Sequence, residues 1–287
     1  MNSTYLYKFL EDATITQRLS IGVTTTTAAA SGYPISNLLN RNANLQWRSN
    51  VTTSGQTLDM DFGASGFIAN YIVIDNHNLT SSIVVKLWGT NTSLITSGTV
   101  LTTLPLTDNT RDYFSFTNST AYRYYILEFT GTLAPQIGNI SIGEKFETSI
   151  NYNIGYKYGE QHITNSQRAI DGTLHTSQLY AGFETLELAY TNISEADRVG
   201  FLKMLNSIRG TLRPFYFVDW DSTLSLFRVK NDYIPLTNKH FRIYDIELQL
   251  EEVSTNTITT RLDLVSIDLT TQSDLELLTQ NENDLTT

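Results

Sequence analysis

Apolar positions along this chain come in short blocks separated by clusters of Gly, Asn, Asp and Ser. Over residues 57–62, Leu58, Met60 and Phe62 alternate with Asp59 and Asp61, the period of two that marks a strand. Tyr71-Ile72-Val73-Ile74 is an unbroken β-favouring run, as a strand covered on both faces would be, and residues 83–88 form another. Residues 113–116, 122–129 and 137–142 continue the series, with turn-forming residues between them. Short strands at this spacing predict a sandwich or jelly roll over residues 1–148. Residues 33–40 stand apart: Tyr33-Pro34-Ile35-Ser36-Asn37 suits a turn or loop over one end of the barrel.

From residue 149 to 253 the pattern changes. Phe183, Leu186, Leu188 and Tyr190 among polar neighbours predict a half-buried strand. The next segment predicts the one helix, at about 194–210. Ser194 is a suitable N-cap, and Glu195 and Asp197 in the first turn suit the helix dipole. Val199, Leu202, Leu205 and Ile208 recur at three-residue steps, widened by Phe201 and Met204. Gly210 stands where a helix C′ glycine is favoured. Residues 214–218 and 224–229 predict two strands. The clearest alternation follows: Ile246, Leu248 and Leu250 on one face, Asp245, Glu247, Gln249 and Glu251 on the other.

Residues 254–287 differ again. They hold no aromatic residue and carry six acids against one base, Arg261. A period of eight repeats at Leu269, Leu277 and Leu285. Such a segment buries too little apolar surface by itself to offset its ordering entropy, so it reads as a solvated acidic tail or as an arm that orders on another subunit.

Composition narrows the function. Of 287 residues 41 are threonine, only 17% are charged and none is cysteine. Disulfides, thiolate metal sites and cysteine nucleophiles are therefore excluded together. The formal net charge of −10 opposes binding to nucleic acid, whose affinity rests on Lys and Arg. No run of 18 apolar residues predicts a membrane span, and the N-terminal residues have no signal-peptide pattern, so folding in a cytoplasm is expected. His77, His162, His175 and His240 are scattered, no Gly-x-Ser-x-Gly elbow is present, and no phosphate or EF-hand loop occurs. No catalytic residue, cofactor or metal ligand is assigned. The acid pairs Asp59/Asp61 and Asp219/Asp221 read as a solvated strand face and a turn, respectively; as strand neighbours at i, i+2 either pair also places two carboxylates on one side. Trp47-Arg48 and Asn76-His77-Asn78 supply the aromatic, guanidinium and amide groups that sugar recognition uses. Trp47 reads equally as a core plug beneath the loops.

Asn37-Leu38-Leu39, then Trp47-Arg48-Ser49 and Leu58-Asp59-Met60-Asp61-Phe62-Gly63, resemble the opening of discoidin or coagulation-factor C-type domains. Trp88-Gly89-Thr90-Asn91, Ala121-Tyr122-Arg123-Tyr124-Tyr125-Ile126 and Ile137-Gly138-Asn139-Ile140-Ser141-Ile142-Gly143 continue that order. The resemblance covers about residues 30–146 and implies a galactose-binding-like jelly roll whose end loops bind sugars, lipids or proteins. The terminal disulfide usual in that family is absent, which a cytoplasmic origin explains. Residues 149–253 are similar to minor or distal tail proteins of long-tailed bacteriophages. The residues that carry this are the 194–210 helix, Arg213-Pro214-Phe215-Tyr216-Phe217, Leu226-Phe227-Arg228-Val229 and Tyr244-Asp245-Ile246-Glu247-Leu248-Gln249-Leu250-Glu251-Glu252. In those proteins a β-sandwich with one helix packs into a ring below the tail tube.

Together these readings give a mainly β protein in three parts: a discoidin-like jelly-roll β-sandwich (1–148), a β-rich part with one helix (149–253) and an acidic arm (254–287). The function expected is that of a virion structural protein. It would be assembled in the host cytoplasm as a homo-oligomeric ring of three- or six-fold symmetry that joins tail tube to tail-tip proteins in the phage tail. Two alternatives stand beside it: a carbohydrate-binding host-adhesion protein, and a neck or capsid-decorating protein. Host-surface glycans would meet Trp47, Arg48, Asn76, His77 and Asn78, and Leu269, Leu277 and Leu285 would form the assembly arm. No nucleic acid and no membrane insertion is expected.

Overall fold

The computed structural model describes residues 2–7, 13–18, 29–40, 42–50, 52, 55–93, 95–106, 111–153, 155–161, 164–168, 170, 173–178 and 182–253. The chain is mainly β, with one α-helix among the described residues. A five-stranded antiparallel sheet runs in the order β2 (Thr14–Arg18), β4 (Gln56–Asp61), β9 (Tyr124–Thr130), β6 (Val84–Thr90) and β7 (Thr99–Leu104). A four-stranded sheet runs β3 (Trp47–Arg48), β10 (Gln136–Gly143), β5 (Tyr71–His77) and β8 (Arg111–Ser115). Leu58, Met60, Val85, Leu87 and Leu127 from the first sheet and Ile72, Ile74, Ile137, Ile140 and Ile142 from the second share one apolar core. This is the sandwich that the alternating apolar positions predict.

The third sheet has eight strands. Its order is β11 (Phe146–Glu147), β1 (Thr4–Leu6), β16 (Phe215–Val218), β17 (Leu224–Val229), β19 (Ile243–Glu252), β15 (Phe183–Ser194) and β12 (Lys157–Gln161), with β18 (Leu236–His240) also paired to β19. Leu186, Leu188 and Tyr190 lie opposite Leu250, Leu248 and Ile246, so the two best alternations in the sequence close one apolar face between them. The strand β1 departs from the expected partition. A boundary at 148 places it with the sandwich, yet Thr4, Tyr5 and Leu6 pair with Val218, Phe217 and Tyr216. The sandwich is thus an insertion between the first strand of the third sheet and the rest of it. Both belong to one compact unit, residues 1–159 with 184–253. Residues 160–183 lie outside that unit, and of them the hairpin β13 (Thr164–Arg168) and β14 (Leu174–Gln178) is described by itself.

The helix α1 (Glu195–Ile208) begins as its sequence predicts. Ser194 Oγ accepts from Asp197 N, and the Asp197 carboxylate accepts from Ser194 N, a closed capping box. Its buried stripe is Phe201, Met204 and Ile208, whereas Val199 is 52% exposed. Three-residue steps fall behind the helical turn by about 60° each, so Val199 lies on the far side from Ile208. Gly200 has a packing reason: a Cβ there would lie 2.2 Å from the Phe146 ring, which packs edge-on against Phe201. Arg209 takes the left-handed cap conformation (φ 56°), followed by Gly210 (φ 65°).

The sandwich and the third sheet meet across β5. Ile72 and Ile74 point into the sandwich core, while Tyr71 and Val73 pack with Leu6, Tyr216, Val218 and Leu226. Asp75 is the polar centre of this seam. It lies 3.0 Å from Arg111 and accepts from Tyr216 Oη at 2.8 Å. The Arg111 guanidinium in turn lies 5.3 Å from the Tyr216 ring centre. Burial, with Asp75 next, pushes the Tyr216 hydroxyl far above its ordinary range, so it remains a donor. Removing Asp75 leaves a mostly buried guanidinium and a buried hydroxyl without their acceptor. Asp75→Ala should therefore cost about 3–5 kcal/mol, measured as a lowered midpoint in urea unfolding.

Candidate functional site

One end of the sandwich gathers most of the residues expected to contact a ligand. Its frame starts at Gly32 (φ +82°), which turns the chain so that Tyr33 N donates to Ala30 O at 2.9 Å. Ala30 N donates to Arg48 O at 2.9 Å, and Arg48 N donates to Tyr33 O at 3.4 Å. Tyr33 and Arg48 are therefore held on adjoining backbone, and both side chains are exposed, Tyr33 at 38%. Residues Ile35–Leu39 form a short 3₁₀ helix where a turn or loop is expected, anchored by buried Leu38.

Residues 40 and 42–46 are tied to one another and to the sandwich through side-chain amides. Asn40 Oδ1 accepts from Asn42 N, and Asn42 Oδ1 accepts from Asn44 N. Asn37 Nδ2 donates to Gln46 O at 2.7 Å, Gln46 Nε2 to Asn76 O at 3.1 Å, Asn76 Nδ2 to Ala43 O at 2.8 Å and Asn139 Nδ2 to Asn40 O at 3.3 Å. Gln136 donates to Gln46 Oε1. Asn76 adopts the left-handed region (φ 51°), which asparagine tolerates better than most residues. Gly138 on β10 admits the loop at close range, because a Cβ there would lie 1.9 Å from Ala43 O.

The structure divides the five expected contact residues. Arg48 is exposed and available. Trp47 is not: at 1% exposure it sits in the sandwich core, 6.4 Å from the Phe129 ring, as the plug beneath the loops. It follows Gln46 in the loop-to-strand transition, and on a two-residue strand neighbouring side chains point to opposite faces, so Trp47 goes in as Arg48 goes out. His77 is also interior, at 3% exposure. Its Nδ1 accepts from Leu79 N at 3.2 Å, so Nε2 carries the proton and faces Asp112 Oδ2 at 3.2 Å. Asn76 and Asn78 spend their amides on the frame. Asn78 Nδ2 donates to Ala134 O at 3.0 Å, and Asn78 Oδ1 accepts from Gln136 N at 2.8 Å. Tyr33, absent from the expected set, is the exposed aromatic of this end. A ring beside a proline in a turn was its signal; its pairing with Arg48 depends on hydrogen bonds between segments fifteen residues apart.

Other expected sites resolve as follows. Asp59 is not on a solvated face: it is 4% exposed, on a strand flanked by β2 and β9. Asp61 is half-buried and accepts both Arg123 Nε and Nη2, at 2.8 and 2.7 Å. Those bonds hold its carboxyl below the usual range. Asp219 and Asp221 lie in the β16–β17 turn. Among the described residues no group of three or more His, Asp or Glu is placed to hold a metal ion, and no helix is long and apolar enough to cross a membrane. Leu269, Leu277 and Leu285 lie outside the described residues.

No protein-family model matches the chain, and no curated protein matches it. Solved structures do. Chitosan-binding module 1 of a Paenibacillus sp. IK-5 chitosanase/glucanase is similar over 48% of this chain and 100% of its own, at 17% identity and a TM-score of 0.38. The family 32 carbohydrate-binding module of C. perfringens NanJ, solved with galactose, is similar over 50% of this chain and 99% of its own, at 12% identity and a TM-score of 0.37. The lectin binding domain of Lectinolysin, a His 62 mutant solved with Lewis b, is similar over 45% and 90%, at 12% identity and a TM-score of 0.34.

The frame is testable apart from any ligand. Gly138→Ala must push the Ala43 carbonyl outward, since neither β10 nor the loop backbone yields cheaply. The expected result is a stability loss of about 1–3 kcal/mol in urea unfolding, typical of an overpacked contact, with amide-exchange protection lowered at residues 42–46 first.

Proposed function

We propose that this protein binds glycans without catalysis, through the loop end that carries Tyr33 and Arg48. The observation that supports this reading is the exposure of a tyrosine ring and a guanidinium on hydrogen-bonded neighbouring backbone, over a loop braced by amides. A sugar ring offers apolar C–H faces and a rim of hydroxyls. The Tyr33 face suits the first, and Arg48 with the exposed Asn42 and Asn44 suits the second. The braces act before binding, so little loop entropy remains to be lost when a ligand docks. Titration calorimetry and a glycan array on the full chain test the proposal. Tyr33→Ala and Arg48→Ala should each weaken binding about tenfold or more, the loss of roughly 1.4 kcal/mol, with the thermal midpoint unchanged. Failure of the full chain to bind any glycan on the array overturns it.

A second reading concerns the third sheet. In the connections that border it, Leu212 (before β16), Tyr233 (between β17 and β18) and Phe241 (between β18 and β19) are large, apolar and 68–84% exposed, and each would gain by burial against a sibling copy. In this reading the protein is a ring component of a long-tailed bacteriophage tail, located in the virion between tube and tip, and the sandwich end points its glycan site outward to the host. Sedimentation of the full chain should then show concentration-dependent oligomers that Tyr233→Lys with Phe241→Lys disperse. A strictly monomeric chain removes this reading and leaves the glycan site standing.

A further inference from the structure

The turn between β16 and β17 shows a tryptophan to solvent for no packing reason. Trp220 is 53% exposed, whereas Trp47 is in the core and Trp88 is half-buried with its Nε1 donating to Glu128 at 2.8 Å. The turn beneath Trp220 is tightly specified. Asp219 N donates to Thr223 O at 2.9 Å, Ser222 N to Asp219 O at 3.0 Å, and Ser222 is left-handed (φ 73°). Asp219 Oδ1 accepts from Trp220 N at 2.7 Å, and Asp221 Oδ1 accepts from Thr223 N at 2.8 Å. Tyr152 reaches the turn from another segment and donates to Asp219 Oδ1 at 2.7 Å. Its ring packs edge-on against Tyr156, 4.9 Å away, which is itself exposed. An exposed indole thus stands on a rigid turn between two carboxylates, with a second exposed ring linked to it through Tyr152.

From this arrangement we infer that the turn is a second saccharide subsite, separate from the Tyr33–Arg48 end, and that it takes a pyranose bearing no acid group. Trp220 stacks on the C–H face of the sugar, and the Asp219 and Asp221 carboxylates accept hydrogen bonds from its hydroxyls. The partial negative charge of the indole face favours the electropositive C–H groups. The same carboxylates repel a uronate or a sialic acid, so charge sets the selectivity. Asp221 stays ionised into acid conditions, because the Thr223 N–H holds its carboxyl below the usual range. The inference rests on the glycan-binding reading but not on its site.

The three indole N–H signals of the full chain provide the test. The protein is labelled with ¹⁵N-tryptophan and titrated with triacetylchitotriose, methyl β-galactoside and glucuronic acid, the signals being assigned with Trp220→Phe. Triacetylchitotriose or the galactoside should move the Trp220 signal, with the Trp88 signal as internal control, while glucuronic acid leaves it in place. The shift should persist in the Tyr33→Ala/Arg48→Ala double variant. Asp221→Asn should weaken the neutral sugar about tenfold and admit glucuronic acid, with the other two signals unchanged as evidence of folding. A Trp220 signal that no neutral probe moves, or that glucuronic acid moves equally, overturns the inference. If the loop-end variants lose glycan binding in that case, the first site stands alone. If the Trp220 signal shifts while the loop-end variants bind as wild type, the second site stands and the first falls.

Discussion

Strand β5 is covered on both faces, and the arrangement of the larger unit follows from that. Ile72 and Ile74 belong to the sandwich core; Tyr71 and Val73 belong to the seam with the third sheet. A strand in this position has no solvent on either side to receive a polar group, so Asp75 must be paired in place. Arg111 and Tyr216 do so from the two layers that meet there. Apolar packing alone would let the sheets slide. A carboxylate shared between a guanidinium on β8 and a hydroxyl on β16 restricts them to one register, because any other leaves a buried group unsatisfied.

The same economy of polar groups shapes the loop end. Threonine and asparagine are abundant and charges are few, so the loop is braced by side-chain amides rather than by ion pairs. Amide hydrogen bonds of this kind are short-ranged, directional and insensitive to salt, so they fix the loop without adding charge of their own. Tyr33, Arg48, Asn42 and Asn44 remain exposed after the bracing, and so do Leu39 and Leu45. Polar groups beside apolar ones suit a ligand that offers both kinds of surface.

The amount of the site that was readable varied with the kind of constraint. The breaks between apolar runs were readable because turn-forming residues interrupt those runs locally, but Trp47-Arg48 and Asn76-His77, which read as loops, lie on β3 and at the end of β5. The roles within them were not. Trp47 and Arg48 are adjacent and look like one motif, yet strand geometry sends one inward and one outward. His77 looks like a surface ligand, but a partner thirty-five residues away, Asp112, accounts for it inside. The β1 strand carries three apolar or hydroxylated residues and no pattern long enough to be called, so its pairing with a strand more than two hundred residues later was invisible.

By itself the amino-acid order determined the class of fold, the helix with its Ser194 cap, and the alternating strands that line the two cores. Those features depend on neighbours within one turn or one pleat, where period and propensity act directly. Only the tertiary structure decided that the first strand belongs to the last sheet, that Asp59 is interior, and which aromatic rings reach solvent. Each of these depends on what packs across a sheet from a distant segment, and burial is a property of the whole assembly of layers rather than of any stretch of chain.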